Sequence, residues 1–147
     1  MSAAVVFVKA VYRRTIYIGA FASRVQLRGA LSVEGETLVL EYRERWRSPL
    51  NLQRVEGKLQ RVTVPCAAVA EPEVVPGWFG GRWLILREAA FEALKGWPNV
   101  RNGVCRLQLE APPRQELGSA ATELSLEIAE AQVRVLERGN DDEAGGG

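Results

Sequence analysis

The chain contains no histidine, and this absence limits its chemistry more than any other feature of its composition. Histidine is the commonest general base, the commonest metal ligand and the usual switch near neutral pH. A catalytic triad built on histidine is therefore excluded. Among the carboxylates, Glu71 and Glu73 alternate on one predicted strand, but no polar framework surrounds them. The sequence predicts a protein that is not an enzyme and that uses no metal or cofactor.

Cysteine is scarce as well, with only Cys66 and Cys105 present. Two thiols alone form neither a disulfide framework nor a zinc site. Each lies in an apolar stretch, so we predict two buried free thiols. A single disulfide between neighbouring strands is the alternative, and it would need an oxidising compartment.

Long uncharged apolar runs are also missing. The apolar residues 3–22 are interrupted by Lys9, Arg13 and Arg14, so no run approaches the roughly 20 residues of a membrane-spanning helix. These charges follow the first apolar residues, whereas a secretory signal carries its positive charges before them. The sequence therefore predicts a cytoplasmic protein without a membrane span.

Charges of both signs are present but are unevenly distributed along the chain. The net charge is +1, yet residues 1–106 hold 16 basic and 9 acidic residues, and residues 107–147 hold 3 and 9. Such runs are usually solvated faces. Sixteen of the 19 basic residues are arginine, which suits interfaces and is also typical of a GC-rich genome. The small net charge does not favour nucleic acid as a partner.

Alternating apolar residues predict a chain that is mainly β. Residues 25–33 and 37–42 alternate on either side of a short turn, which indicates a hairpin. Further strands are predicted at 59–64, 69–75, 82–87 and 104–109, with a short helix at 88–95. If the second strand continues, Arg43, Arg45 and Arg47 share one face, a candidate basic surface that could follow a nucleic-acid backbone.

A long amphipathic helix is predicted at residues 114–138. Its apolar residues recur every three or four positions and define one stripe: Leu117, Ala121, Leu124, Ile128, Ala131 and Val135. Gly139 is a suitable residue to end the helix, and residues 139–147 are predicted to be a disordered polar tail. Leu126, Val133 and Leu136 lie off the stripe, where they either widen the buried face or contact a second protein.

This order of elements resembles the pleckstrin-homology-like (PH-like) proteins, and more closely their uncharacterised bacterial members. The resemblance covers residues 24–138 and is carried by LSVEGETLVL at 31–40, by PGWFGGR at 76–82 and by the long helix. It implies a bent β-sandwich or barrel of about seven strands, closed by the C-terminal helix. Such domains bind phosphoinositides, peptides or proteins. The first hairpin turn, Glu34-Gly35-Glu36, departs from the lipid-binding members because its charges would repel phosphates.

Residues 1–23 form an apolar N-terminal arm that a domain of residues 24–138 does not obviously need. Both alternation phases of the arm are apolar, so it must be buried by its own domain or by another chain. The candidate partner-binding residues come from this arm and from the glycine-rich turn with the strand after it: Val5, Phe7, Val11, Tyr12, Arg13, Arg14, Tyr17, Phe21, Trp78, Phe79 and Trp83.

The sequence thus predicts a protein-interaction domain, an accessory or scaffolding subunit of a larger assembly. A more specific form has it docked on the cytoplasmic side of a membrane complex, because the arm mixes basic and aromatic residues. A small-molecule or lipid-binding β-barrel and a nucleic-acid-binding module are the alternatives.

Overall fold

The computed structural model describes residues 4–15, 22–48, 52–77, 81–110 and 119–145. Its strands are β1 (Val5–Thr15), β2 (Ala22–Glu34), β3 (Thr37–Arg47), β4 (Arg54–Glu56), β5 (Gln60–Pro65), β6 (Glu73–Pro76), β7 (Arg82–Arg87), β8 (Val100–Arg101) and β9 (Val104–Leu109). A 3-10 turn spans Cys66–Ala68, and α1 spans Ser119–Gly145.

The strands form one antiparallel sheet in the order β4-β3-β2-β1-β9-β7-β6, with β5 also paired to β3 and β8 to β9. The prediction of a mainly β chain with one C-terminal helix is confirmed. The described sheet holds nine strands rather than about seven. It is open rather than closed, because its path ends at β4 on one side and at β6 on the other.

The N-terminal residues form an internal strand of this sheet. β1 pairs with β2 along its whole length, and Val8 and Lys9 pair with Leu109 and Gln108 of β9. Val6, Val8 and Ala10 are buried on its inner side. The predicted boundary after residue 23 falls inside β2. Residues 5–15 belong to the same sheet as β2 and do not form a separate arm beside it. Removing this segment would separate the two halves of the sheet.

The core lies between the inner face of the sheet and α1. Large side chains that are almost fully buried come from both halves of the sheet, namely Leu27, Leu31, Leu38, Leu40, Leu84, Leu86 and Leu107. The helix contributes Ala121, Leu124, Ile128 and Ala131, so the predicted apolar stripe is confirmed at these positions. Val135 is only partly buried, and Leu117 lies outside the described residues. The Gln132 amide donates to the carbonyls of Cys66 and Val69 at 2.9 and 2.8 Å, which fixes the helix against the 3-10 turn.

The residues off the stripe do not widen the buried face. Leu126, Val133 and Leu136 remain 58%, 51% and 67% exposed. The helix also continues through Gly139 to Gly145, where a disordered tail was predicted. A single glycine costs a helix only about 1 kcal/mol relative to alanine, which does not by itself end it.

Two predicted elements are shorter or different in the structure. Residues 88–95 form turns rather than a helix, because Glu92 has a φ of 53°, in the left-handed region. The fourth predicted strand begins at Glu73 instead of residue 69, since Pro72 lacks the N–H needed for a ladder bond. Val69 keeps one isolated bridge, to Glu88.

Both thiols are free and buried, as predicted. The Cys105 thiol donates to the carbonyl of Pro98 at 3.3 Å. Burial raises the pKa of the Cys105 thiol to about 12, so it stays protonated and unreactive in the folded chain.

A substitution at Gly29 tests how closely β2 and β3 approach each other. A Cβ at this position would lie 2.5 Å from the Glu41 carbonyl oxygen and 2.7 Å from the Tyr42 Cβ. We expect Gly29→Ala to lower the free energy of unfolding by about 1–3 kcal/mol, because the backbone must move. Gly139→Ala is the matched control and should raise it by up to about 1 kcal/mol, since nothing lies within 4 Å of the added carbon. Urea unfolding measures both. Equal effects of the two substitutions would contradict the close approach.

Candidate functional site

The side of β1, β2 and β3 that points away from the core is called the outer face here. Alternation and register place the following residues on it: Val5, Phe7, Lys9, Val11 and Arg13 from β1; Arg24, Gln26, Arg28, Ala30, Ser32 and Glu34 from β2; Thr37, Val39, Glu41, Arg43, Arg45 and Arg47 from β3. Of these, Val39 is buried and the others are at least partly exposed. The three candidate arginines of β3 therefore do share a face, as predicted.

The outer face has an exposed apolar row along β1. Val5, Phe7 and Val11 are 42%, 46% and 51% exposed. Their neighbours in sequence point into the core, so the packing of β1 requires apolar residues only on its other side. These three side chains are not explained by the fold of the described residues.

Basic side chains lie across the strands beside this row. Lys9 is directly opposite Arg28, and Arg28 is directly opposite Arg43, so three cations form one line across the sheet. Arg13 is likewise opposite Arg24. Like charges at directly opposed positions destabilise a sheet. Cations placed in this way repel one another unless an anion lies between them.

Few acids neutralise this surface. On β1–β3 the outer face holds seven basic residues against Glu34 and Glu41, and both of these acids pair with Arg61 of β5. Arg28 lies 3.6 Å from Glu110, and Arg45 lies 3.7 Å from Glu56, in exposed pairs that water screens. The outer face keeps an excess of positive charge, although the whole chain is nearly neutral.

A shallow depression of about 500 Å³ lies within the outer face. Phe7, Arg28, Arg43 and Leu59 are among the residues that line it, together with the backbone of Gly29. Apolar groups, arginines and the carboxylates of Glu41, Glu56 and Glu110 therefore share a concave part of the sheet. A partner could bury the Phe7 ring here while its acids reach the arginines.

A second polar cluster lies on the inward side of the same strands and is centred on Glu44. Its carboxylate is buried, and it accepts hydrogen bonds from the Tyr12 hydroxyl and, at 3.1 Å, from the Gln60 amide. Arg14 pairs with it at 3.2 Å, and the Arg14 guanidinium lies 5.8 Å from the centre of the Trp46 ring. The candidates Tyr12 and Arg14 thus hold a buried carboxylate instead of belonging to the outer face.

This cluster perturbs its tyrosines. Burial, followed by the hydrogen bond to the Glu44 carboxylate, raises the pKa of Tyr12 well above its ordinary value. Burial and the nearby Glu44 charge also raise the pKa of Tyr42. Both phenols therefore remain neutral donors over the physiological range.

A cleft of about 610 Å³ opens beside the Glu44 cluster. Tyr12, Arg13, Arg14, Glu44, Trp97 and Arg101 are among its lining residues. Sequence reasoning missed this cleft, because Gly96–Arg101 approaches β1 only through the tertiary fold. The sequence did contain one indication of it, because Tyr42, Glu44 and Trp46 alternate along β3 and therefore share its inward face.

The remaining candidates are not brought together with the outer face. Trp83 lies on β7 opposite Val75 and Gln108, is partly buried, and helps to line a separate depression of about 440 Å³ at the β6–β7 end. Tyr17, Phe21, Trp78 and Phe79 lie outside the described residues.

The two carboxylates considered for catalysis are both exposed. Glu73 lies 3.6 Å from Arg87 in a surface ion pair. Within the described ranges, no group of three or more cysteine and acidic side chains is arranged to hold a metal ion. The helix in the described part of the chain is too polar to cross a membrane.

Glu44→Gln tests how strongly the buried cluster stabilises the fold. We expect the free energy of unfolding to fall by about 1–3 kcal/mol, because Arg14 loses its counter-ion and the Tyr12 and Gln60 donors lose a charged, buried acceptor. Glu41→Gln on the same strand should change it by no more than about 0.5 kcal/mol, since its pair with Arg61 is exposed. Urea unfolding compares the two variants.

Tyrosine ionisation gives a second readout of the same substitution. The folded state retains the Tyr12 proton where the unfolded chain loses it, so this contribution to stability is complete below pH 10 and declines above it. In Glu44→Gln the pKa of Tyr12 should move back toward 10, although burial still holds it raised. Ultraviolet titration, with Tyr12→Phe to identify the step, measures the change. An unchanged titration would show that Glu44 does not act on Tyr12.

Comparisons with protein-family models, with curated proteins and with solved structures find no match to this chain. The function is therefore inferred from the residues of the outer face and of the Glu44 cluster. The first is an exposed surface with unexplained apolar groups and surplus charge. The second is a buried carboxylate that Tyr12 and Gln60 hydrogen-bond and that Arg14 pairs with.

Proposed function

We propose that this chain is a non-enzymatic protein-interaction domain, an accessory or scaffolding subunit that docks a partner on its outer face. One observation carries the proposal: Val5, Phe7 and Val11 are about half exposed on an internal strand whose other side buries Val6, Val8 and Ala10. An apolar row at the middle of a sheet cannot be attributed to a fraying edge. Exposed apolar patches of this kind mark interaction surfaces.

The composition of the outer face fits an interface better than a catalytic site. Interfaces combine apolar or aromatic anchors with arginine, surrounded by a polar rim. Phe7 supplies the anchor, and Arg28, Arg43 and Arg45 surround it. The partner surface that fits is one with an apolar centre and acidic neighbours.

A PH-like fold is part of the proposal. It is supported by the strand order, in which one sheet continues across β1 from the β2–β3 side to the β9–β7 side, and by the terminal helix that covers the shared core. The first hairpin turn argues against a phosphate ligand there. Its Glu36 pairs with Arg138, and its Gly35 carbonyl accepts from Arg134 at 3.2 Å, so the turn is occupied by the chain's own helix.

Docking on the cytoplasmic side of a membrane complex is the more specific form of this proposal. Only the positive charge of the outer face supports it, since a cationic surface is attracted toward the anionic inner leaflet. The alternative of a ligand-binding barrel has less support, because leucine and valine side chains fill the inner side of the sheet.

A nucleic-acid-binding module remains the second candidate, and a specific observation favours it. The line Lys9–Arg28–Arg43 lies beside the exposed Phe7 ring on an open sheet, and single-stranded nucleic acid is bound by cations that contact phosphates and by aromatic rings that stack on bases. Only one aromatic ring lies on the described outer face, so we rank this candidate below a protein partner.

The double variant Phe7→Thr with Val11→Thr tests the outer face. Threonine retains the strand preference, so folding should be preserved while the apolar anchors are lost. We expect affinity capture from the native cell to recover the partner at least about tenfold less well, as for loss of a hot spot. Phe91→Ser is the matched control, because Phe91 is 93% exposed on a turn and is not part of the outer face.

Labelled single-stranded RNA separates the two candidates. Binding that falls steeply between about 50 and about 200 mM salt, and that Lys9→Gln with Arg43→Gln abolishes, would assign the outer face to nucleic acid. Capture of the same proteins at the same yield by the Phe7 variant, the Phe91 variant and the original chain would refute the proposed function.

A further inference from the structure

A second exposed apolar surface runs along α1. Leu126, Val133 and Leu136 are spaced seven and three residues apart, so they follow one side of the helix, and each is more than half exposed. This stripe is separate from the one that packs on the core. The fold of the described residues does not account for it.

Acidic residues flank this stripe. Glu123, Glu130 and Glu137 recur every seven residues and are exposed. Glu130 lies four residues after Leu126, and Glu137 lies four residues after Val133, so each acid neighbours an apolar residue on the helix surface. The helix stripe, meaning these six residues, therefore combines apolar groups with negative charge.

The orientation of the helix stripe is fixed. Arg134 bonds the Gly35 carbonyl and Arg138 pairs with Glu36, which holds the helix to the β2–β3 turn, and Gln132 anchors it to the 3-10 turn. The helix therefore cannot rotate to bury Leu126 or Val133 in its own core. The stripe is presented to solvent as a formed surface.

The helix stripe and the outer face are complementary. One is apolar with three glutamates, and the other is apolar with seven basic residues. Their lengths also agree, because Glu123–Glu137 spans about 21 Å along a helix and Val5–Val11 spans about 20 Å along a strand. A helix resting on a sheet is a common packing of layers.

We propose that the chain assembles head to tail, with the helix stripe of one copy bound to the outer face of the next. This rests on the proposed function, because it names a second copy as the partner of the outer face. The helix packs on the inner side of β1 and β2, so the two surfaces point in different directions and one chain cannot join its own. Such a heterologous contact leaves one free surface at each end, and it forms rings or filaments.

The charge distribution of the chain supports a second copy as the partner that binds the outer face. Residues 1–106 carry an excess of seven positive charges and residues 107–147 an excess of six negative charges, so the two parts nearly cancel. A chain that docked only on an unrelated acidic partner would have no need of an acidic helix stripe. Head-to-tail contact uses both surfaces at once.

Analytical ultracentrifugation of the full chain tests this assembly. We expect the average mass to rise above that of the monomer between about 5 and about 200 µM at low salt, and to fall again near 0.5 M salt, where charges are screened. Phe7→Thr with Val11→Thr should abolish the rise. Leu126→Gln with Val133→Gln should abolish it as well, since glutamine keeps the helix preference. Phe91→Ser should assemble like the original chain.

Mixing the two defective variants gives the decisive result. Each retains the surface that the other lacks, so an equimolar mixture should form dimers that do not grow further. A monomeric mixture, a monomeric original chain at every concentration, or a helix variant that assembles normally would overturn the proposal.

The same variants separate this inference from the proposed function. If the original chain stays monomeric and the Phe7 variant alone loses a captured protein, self-assembly fails and the proposed function stands. If the Phe7 variant matches the original chain in capture and in sedimentation, both fail.

Discussion

The short pairing of β1 with β9 is the contact on which the rest of the structure depends. β1 is joined to β2 along eleven residues, but to β9 only at Val8 and Lys9, extended by a bond from the Glu110 N–H to the Phe7 carbonyl. This junction connects the β2–β3 side to the β7–β6 side and lets one sheet enclose one core. The helix can cover that core because both sides supply leucines to it.

Periodicity predicted much of this arrangement. The hairpin of β2 and β3, the β7 and β9 strands and the buried stripe of α1 follow from local alternation, and the structure has them. The role of residues 4–15 could not be obtained in this way, because both phases of β1 are apolar and only pairing decides which side is buried. Likewise Glu92 adopts a left-handed φ that no apolar spacing reveals, and so the predicted helix there is absent.

Part of the candidate site could also be predicted from alternation along a strand. Arg43, Arg45 and Arg47 share a face because alternation alone determines it. Lys9 and Arg28 join them only through register, which depends on strand order, and the Glu44 cluster depends on contacts between residues 32 positions apart. Residues 4–15 of the predicted arm include β1, whose outer side forms one surface with β2 and β3.

The position of Phe7 and Lys9 has a mechanical consequence. They lie at the junction where the two halves of the sheet meet, so a ligand resting on them would span the narrowest connection in the fold and restrain bending between the halves. A ligand bound at these two residues would then change the stiffness of the whole sheet, including the cleft beside Glu44, without contacting that cleft.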